Sequence, residues 1–194
     1  NVDISGKSGM ASYYFSGGYQ YTDGMIKYGT DTFNRYNTRS KISFQLTPNW
    51  TVSNNTSLTF EKYNAPTALN SSYYWEINRL NPLDMVKNPD GSWTSSGASV
   101  LGIMDSGGRT KSREANIITT FSTKWDVIKD VLSLNAAFTY NSSNYRDRYS
   151  VLPVAYQEGP ETTPRYKNET SSAGSSSSYS RHLTFDAYAS FHKT

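Results

Sequence analysis

The residues best suited to chemistry in this chain lie in its long polar segments, and the chemistry they suit is contact rather than catalysis. Tyr73, Tyr74 and Trp75 are consecutive in SSYYWEINRL, Arg79 and Asn81 follow closely, and Trp93 comes further on. Sugar rings stack on the faces of Trp and Tyr, while Arg, Asn and Asp hydrogen-bond to hydroxyl groups. The competing reading is that Tyr74 and Trp75 pack the loop against its own scaffold or against a partner. Groups for bond-making chemistry are scattered. His182 and His192 lie ten residues apart on one expected strand. That is about 33 Å at ~3.3 Å per residue, too far for one metal ion. No Asp or Glu pair has a spacing that forces it together. Cysteine is absent, which excludes a disulfide framework, a thiolate nucleophile and a Cys-based metal site. No G-x-S-x-G elbow marks a serine nucleophile. The expectation is a protein that is not an enzyme and has no cofactor.

The elements that must position these residues are strands. From Ala11, the residues Tyr13, Phe15, Gly17, Tyr19 and Tyr21 alternate with Ser12, Tyr14, Ser16, Gly18 and Gln20. Further on, Tyr36, Ile42, Phe44 and Leu46 alternate with Asn37, Arg39, Lys41, Ser43 and Gln45. A third run sets Trp50, Val52, Leu58 and Phe60 against Thr51, Ser53, Asn55, Ser57, Thr59 and Glu61. A period of two gives each strand one apolar and one polar face. The polar faces are too wet for a packed core, so the pattern suits a barrel wall with lipid outside and water or protein inside.

Composition sets the outer limits. Of 194 residues, 36% are apolar, and the mean hydropathy is −0.66. A soluble domain of this size usually carries more Leu, Ile and Val. Here 16 Tyr, 8 Phe and 4 Trp stand in for them, and Tyr and Trp suit positions with one apolar and one wet side. A Tyr-rich soluble β-sandwich or glycan-binding module fits the same composition. No apolar run approaches the ~20 residues of a spanning helix, which leaves a membrane barrel with strands of ~9–11 residues open. The net charge of +3 comes without a basic block, so nucleic acid is not an expected partner. The chain starts at Asn1 without an initiator Met or signal peptide and reads as a piece of a longer protein.

Connection lengths favour a barrel over a sandwich. A strand at Asn1–Ser5, a turn at Gly6–Gly9 and a strand from Met10 to Tyr21 are expected. A polar loop follows from Thr22 to Asn34, then strands about Arg35–Leu46 and Trp50–Glu61 joined by Thr47-Pro48-Asn49. A long segment covers Lys62 to Ser112. It should hold a short helix over Ser71–Leu80, capped by Ser72, with Trp75 and Ile77 or Leu80 inward. Its Ser- and Gly-rich part, Ser95 to Gly108, reads as flexible. Strands at Arg113–Trp125 and Val131–Asn141 share a compact connection, and another long segment, Ser142 to Ser178, precedes a strand at Tyr179–Phe191. Short turns therefore fall at one end and long loops at the other, as in an outer-membrane barrel. Seven strands cannot close such a barrel, so the remaining wall must come from other sequence. Tyr19, Tyr21, Phe60 and Tyr140 would belong to the external aromatic girdle. Arg39 and Lys41 would face the lumen and form structural ion pairs.

Residues NVDISG, SYYFSGGYQYTDGMIK and FNRYNTRSKISFQLTPNWTVSNNTSLTF together resemble the SusC/RagA family of TonB-dependent outer-membrane transporters of Bacteroidetes. Tyr13-Tyr14, Gly18-Tyr19, Gly24 and the run Arg35 to Arg39 match the family pattern, while Ser5-Gly6-Lys7 departs from its SGG. Asn81-Pro82, followed by Asn88-Pro89-Asp90-Gly91, is similar to its first long loop, and Thr184 to Thr194 looks like a strand leading into its next periplasmic turn. The resemblance implies an all-β fold. The chain would be a contiguous antiparallel meander within a 22-stranded transmembrane barrel, with short periplasmic turns and long extracellular loops. Residues 1–194 would be part of that barrel domain, with plug and remaining strands elsewhere. It also implies an outer-membrane, multi-pass location, a SusD-like surface lipoprotein as lid, TonB as energy source, and oligosaccharide or oligopeptide as cargo. A dimer of such transporter–lid pairs is one arrangement it allows. Two other classes remain open: a passive porin or adhesin barrel, and the soluble glycan-binding module.

Overall fold

The computed structural model describes residues 1–192. Strands follow in chain order: β1 (Val2–Ser8), β2 (Ala11–Asp23), β3 (Thr32–Thr47), β4 (Trp50–Pro66), β5 (Arg109–Ile128) and β6 (Leu132–Val151). After them come a short hairpin, β7 (Val154–Tyr156) with β8 (Arg165–Lys167), and the long β9 (Ser172–Phe191). β1 to β6 and β9 form one seven-stranded antiparallel sheet in which each strand lies beside the one before it. The chain is therefore all-β in class, a single large meander. Its two outermost strands are β1 and β9, and β7–β8 stand apart as a separate two-stranded sheet.

Register aligns the apolar faces. Ala11 pairs with Phe44, Phe44 with Val52, Phe121 with Phe138 and Phe138 with Phe185. Side chains one residue away in each strand point to the other face, where Ser53 pairs with Ser122 and Thr120 with Thr139. Both pairs are bonded hydroxyl to hydroxyl, at 2.7 and 3.0 Å. The apolar face carries no packed layer: Phe15, Phe44, Phe121, Phe138 and Phe185 are all exposed. On β5 this face runs from Ala115 to Trp125, about 33 Å along the strand.

The upper edge of the apolar face is slanted. It is marked by Tyr21, Tyr36, Phe60, Ala115, Tyr140 and Leu183 on successive strands. Tyr36 is level with Phe60, whereas Tyr140 pairs with Thr119, which pairs with Thr56, four residues short of Phe60. The lower edge steps the same way, since β3 continues past the Ala11–Phe44 pair to Thr47. Such parallel steps are what tilted strands produce along a level boundary.

Turns and loops segregate. At one end the connections are residues 9–10, 48–49 and 129–131; at the other they are 24–31, 67–108 and 152–171. The first turn differs from expectation. Gly6 is inside β1, where the Tyr13 ring of the neighbouring strand covers it, and the tight turn uses Gly9 at φ +56°. That left-handed backbone suits glycine. A larger difference concerns the upper ends. β4 continues to Pro66, β5 begins at Arg109, β6 continues to Val151 and β9 begins at Ser172. The run Ser175–Ser178, expected in a loop, is strand and pairs with residues 145–148. Above the apolar band both faces carry mainly polar side chains, and the ladder persists without hydrophobic alternation. Residues 193–194, at the end of the strand expected to lead into the next turn, lie outside the described residues. Among the described residues no helix is long and apolar enough to cross a membrane.

Candidate functional site

The three long loops fold together into one cap, and the sequence-predicted contact residues are distributed through it. Its first helix, α1, spans Ser71–Ile77. The cap residue is Asn70 rather than Ser72: its Oδ1 accepts from the amides of Ser72 (2.9 Å) and Tyr73 (3.2 Å). An Asn side chain at this position satisfies amides that the first helical turn leaves without partners. The inward residue is Tyr73, 4% exposed, while Trp75 is 65% and Ile77 40% exposed. The expected inward Trp75 and Ile77 are thus reversed, because the cap buries α1 on the Tyr73 side. Leu80 does pack against this core.

The Ser- and Gly-rich stretch is ordered and helical, contrary to the expectation of flexibility. It forms α2 (Ser95–Gly97), one π-helical turn (Ala98–Gly102) and α3 (Ile103–Ser106). Thr94 Oγ1 caps it by accepting from the Gly97 amide at 3.0 Å. Ala98, Val100 and Met104 are almost fully buried. Val100, Met104 and Tyr73 form a small core against which Ile26 and Tyr28 from the first long loop pack. Small residues were needed for close approach: Gly97 abuts the Val86 carbonyl and Gly102 the side chains of Val154 and Trp93. Composition alone could not separate that role from flexibility.

Cross-loop bonds complete the cap. The Arg109 guanidinium donates to Thr30 O at 2.6 Å and to Asn64 Oδ1 at 2.9 Å. Asn88 Nδ2 donates to Gln157 O, and the Gln157 amide donates to Trp93 O. Asp90 accepts from the Ser92 hydroxyl (2.6 Å), the Ser92 amide (2.9 Å) and the Glu161 amide (3.3 Å). These bonds hold the Asp90 carboxyl below its ordinary range, with the Ser92 hydroxyl the main cause.

Of the candidate residues, Tyr74, Trp75 and Arg79 lie together on the outside of α1. Tyr74 is 56% exposed. Arg79 lies 5.8 Å from the centre of the Trp75 ring and 3.8 Å from Glu76. Tyr73 is held in the core instead, where burial pushes its phenol up. Trp93 is half-buried, with Tyr28 edge-on at 6.0 Å and Lys87 Nζ 4.4 Å above its face. Asn81 closes its own turn, accepting from the Leu83 amide. Beside α1 opens a cleft of about 280 Å³. Its lining includes the polar side chains of Thr67, Asn70, Ser72, Glu76, Ser99 and Asn168. None of these was an expected contact residue, because the cleft joins α1, the helical stretch and the third loop, which are far apart in the chain.

On the sheet's polar face Arg35 Nε lies 3.3 Å from Glu61 Oε1. Arg39 donates to Asn55 Oδ1 at 3.3 Å, Lys41 is level with Asn55, and neither makes an ion pair among the described residues. No protein-family model and no curated protein matches this chain.

Proposed function

We propose that these residues form a section of the wall of a large outer-membrane β-barrel, and that the protein is a SusC-like TonB-dependent importer of oligosaccharides or oligopeptides. The observation that carries the reading is the two-sided sheet. One face is an exposed apolar band with an aromatic upper edge, about 25 Å tall if its strands carry the ~40° tilt of such barrels; the other is hydroxyl- and amide-lined, and turns and loops are sorted to opposite ends. A soluble sandwich would bury the apolar face against a second sheet. In lipid that face needs no cover, and ladder bonds satisfy the backbone.

In this reading the 24–31, 67–108 and 152–171 loops are extracellular, and the cap is the surface that meets cargo and a SusD-like lid. Trp75 and Tyr74 offer stacking faces, and Glu76 and Asn70 offer hydrogen bonds beside the cleft. Cargo bound there passes inward when TonB remodels a plug that fills the barrel. The plug, the TonB contact and the remaining strands lie in other sequence. Wall residues such as Arg35 and Lys41 face that plug.

The test is the native species. Extracted from its membrane, the protein should need detergent. It should have a mass several times the 21.8 kDa of these residues, with a plug and TonB-contacting segment in the same polypeptide. A detergent-free soluble species that binds glycan would replace this reading with the soluble module. A barrel without plug or TonB segment would replace it with a passive porin.

A further inference from the structure

Above the apolar band, on the same outward face, the register gathers cations. Lys62 pairs with Arg113, and Arg113 with Arg146. One step higher, Lys111 pairs with Arg148. On β9, Arg181 is the next outward residue above Leu183. All six side chains are exposed. Neighbouring strands are about 4.8 Å apart and alternate residues on a strand about 7 Å apart, so the five on β4 to β6 form one compact patch.

Three observations separate this patch from an ordinary solvated face. Among the described residues, none of the six has a carboxylate within ion-pairing distance. Arg109, on the same face, is instead committed to Thr30 and Asn64. In the two ladder rows that contain Lys62 and Lys111 the only outward acid is Asp23, three strands from Lys111. The flanks are small and polar: Asn34 and Asn64 on one side, Ser177 and Ser175 on the other. Hydroxyls and amides there leave the cations uncovered and add donors. Finally, the patch meets the apolar band through Lys62. Lys62 Nζ sits 5.2 Å from the Phe60 ring and 5.9 Å from Tyr36, both at the upper edge of the band. Below it, Ile42, Phe44, Phe121, Phe138 and Phe185 line an open apolar hollow of about 460 Å³.

We propose that this patch binds the phosphate groups of an outer-leaflet glycolipid whose acyl chains lie on the band beneath it. Guanidinium groups match phosphate oxygens in paired, charge-assisted hydrogen bonds. A soluble anion would use the cations but has no use for the apolar hollow; a zwitterionic lipid would use the band but cancels its own phosphate charge. A phosphorylated lipid uses both. This inference rests on the barrel reading, because it needs the band to face lipid.

The experiment uses the intact protein, extracted in non-ionic detergent and examined by native mass spectrometry. The probes are a monophosphorylated lipid A and the same glycolipid with its phosphate removed. The wild type should retain the phosphorylated form about tenfold or more over the dephosphorylated one. The triple variant Lys62→Gln, Arg113→Gln, Arg146→Gln should lose that preference, while Lys129→Gln, in a turn at the opposite end, should keep it. Inorganic phosphate should not displace the lipid. Equal retention of both glycolipids by the wild type, an unchanged preference in the triple variant, or displacement by free phosphate would overturn the proposal. A protein that stays in solution without detergent would instead overturn the barrel reading itself.

Discussion

At the residue scale, the cap separates side chains that hold it together from side chains free to touch something else, and neighbours in sequence fall on opposite sides of that division. Tyr73→Ala should destabilise the cap by about 3–5 kcal/mol, as deletions of buried aromatics do. The measurement is hydrogen exchange over residues 67–108. Trp75→Ala should leave that exchange unchanged and lower uptake of a glycan substrate. Unchanged uptake would remove Trp75 from the contact surface. Asp90 supplies a pH dependence. Its carboxyl is held below the ordinary range, so the bonds to Ser92 and Glu161 contribute fully above the unfolded-state pKa near 4. That contribution is lost as pH falls through the lower folded value. Exchange at the Ser92 and Glu161 amides should rise only in strong acid, and Asp90→Asn should largely remove the transition.

At the scale of elements, legibility followed from whether a strand has two different environments. Across the band, each strand alternates, and Phe44, Phe121 and Phe138 could be assigned to one face from sequence. Above it, residues 142–151 and 172–178 are largely polar on both faces, so nothing in their order distinguishes strand from loop. The same limit hid α2 and its continuation, where glycine and serine serve close packing. The N-terminal cap of α1 was misplaced by two residues because Asn70, Ser71 and Ser72 are all competent caps. Asn70→Ala should cost about 0.5–2 kcal/mol, read as faster exchange in α1. Within the sheet, Phe121→Arg should destabilise folding into lipid vesicles by about 2–4 kcal/mol, whereas Ser122→Arg, on the polar face, should be tolerated. Equal costs at both positions would contradict a lipid-facing band.

For the whole molecule, sorting of turns and loops predicts a topology that labelling can read. These 194 residues contain no cysteine, so a single introduced thiol marks its own loop once any cysteine elsewhere in the polypeptide is replaced. Glu169→Cys, in the third long loop, should react with an impermeant maleimide on intact cells. Lys129→Cys, in a short turn, should react only after the outer membrane is breached. The reverse pattern would invert the orientation. What the sequence alone could not supply was the association of the three loops. Its contacts, such as Tyr28 with Trp93 and Asn88 with Gln157, join residues far apart in the chain without any periodic signature.

That association bears on how such a surface can change over evolution. Gly29 enters the cap at φ +63° with the Met104 carbonyl where a β-carbon would stand, and Asn88 of the second loop is completed by Gln157 of the third. A loop transplanted singly from a homologous protein would arrive without its counterparts and leave both halves with unmatched surfaces. Recombination that retains function should therefore exchange all three loops as a block, with crossover points in the strands below them. Specificity at this face would then diversify mainly by point changes on the outside of α1, where Tyr74, Trp75 and Arg79 can vary without disturbing the shared core.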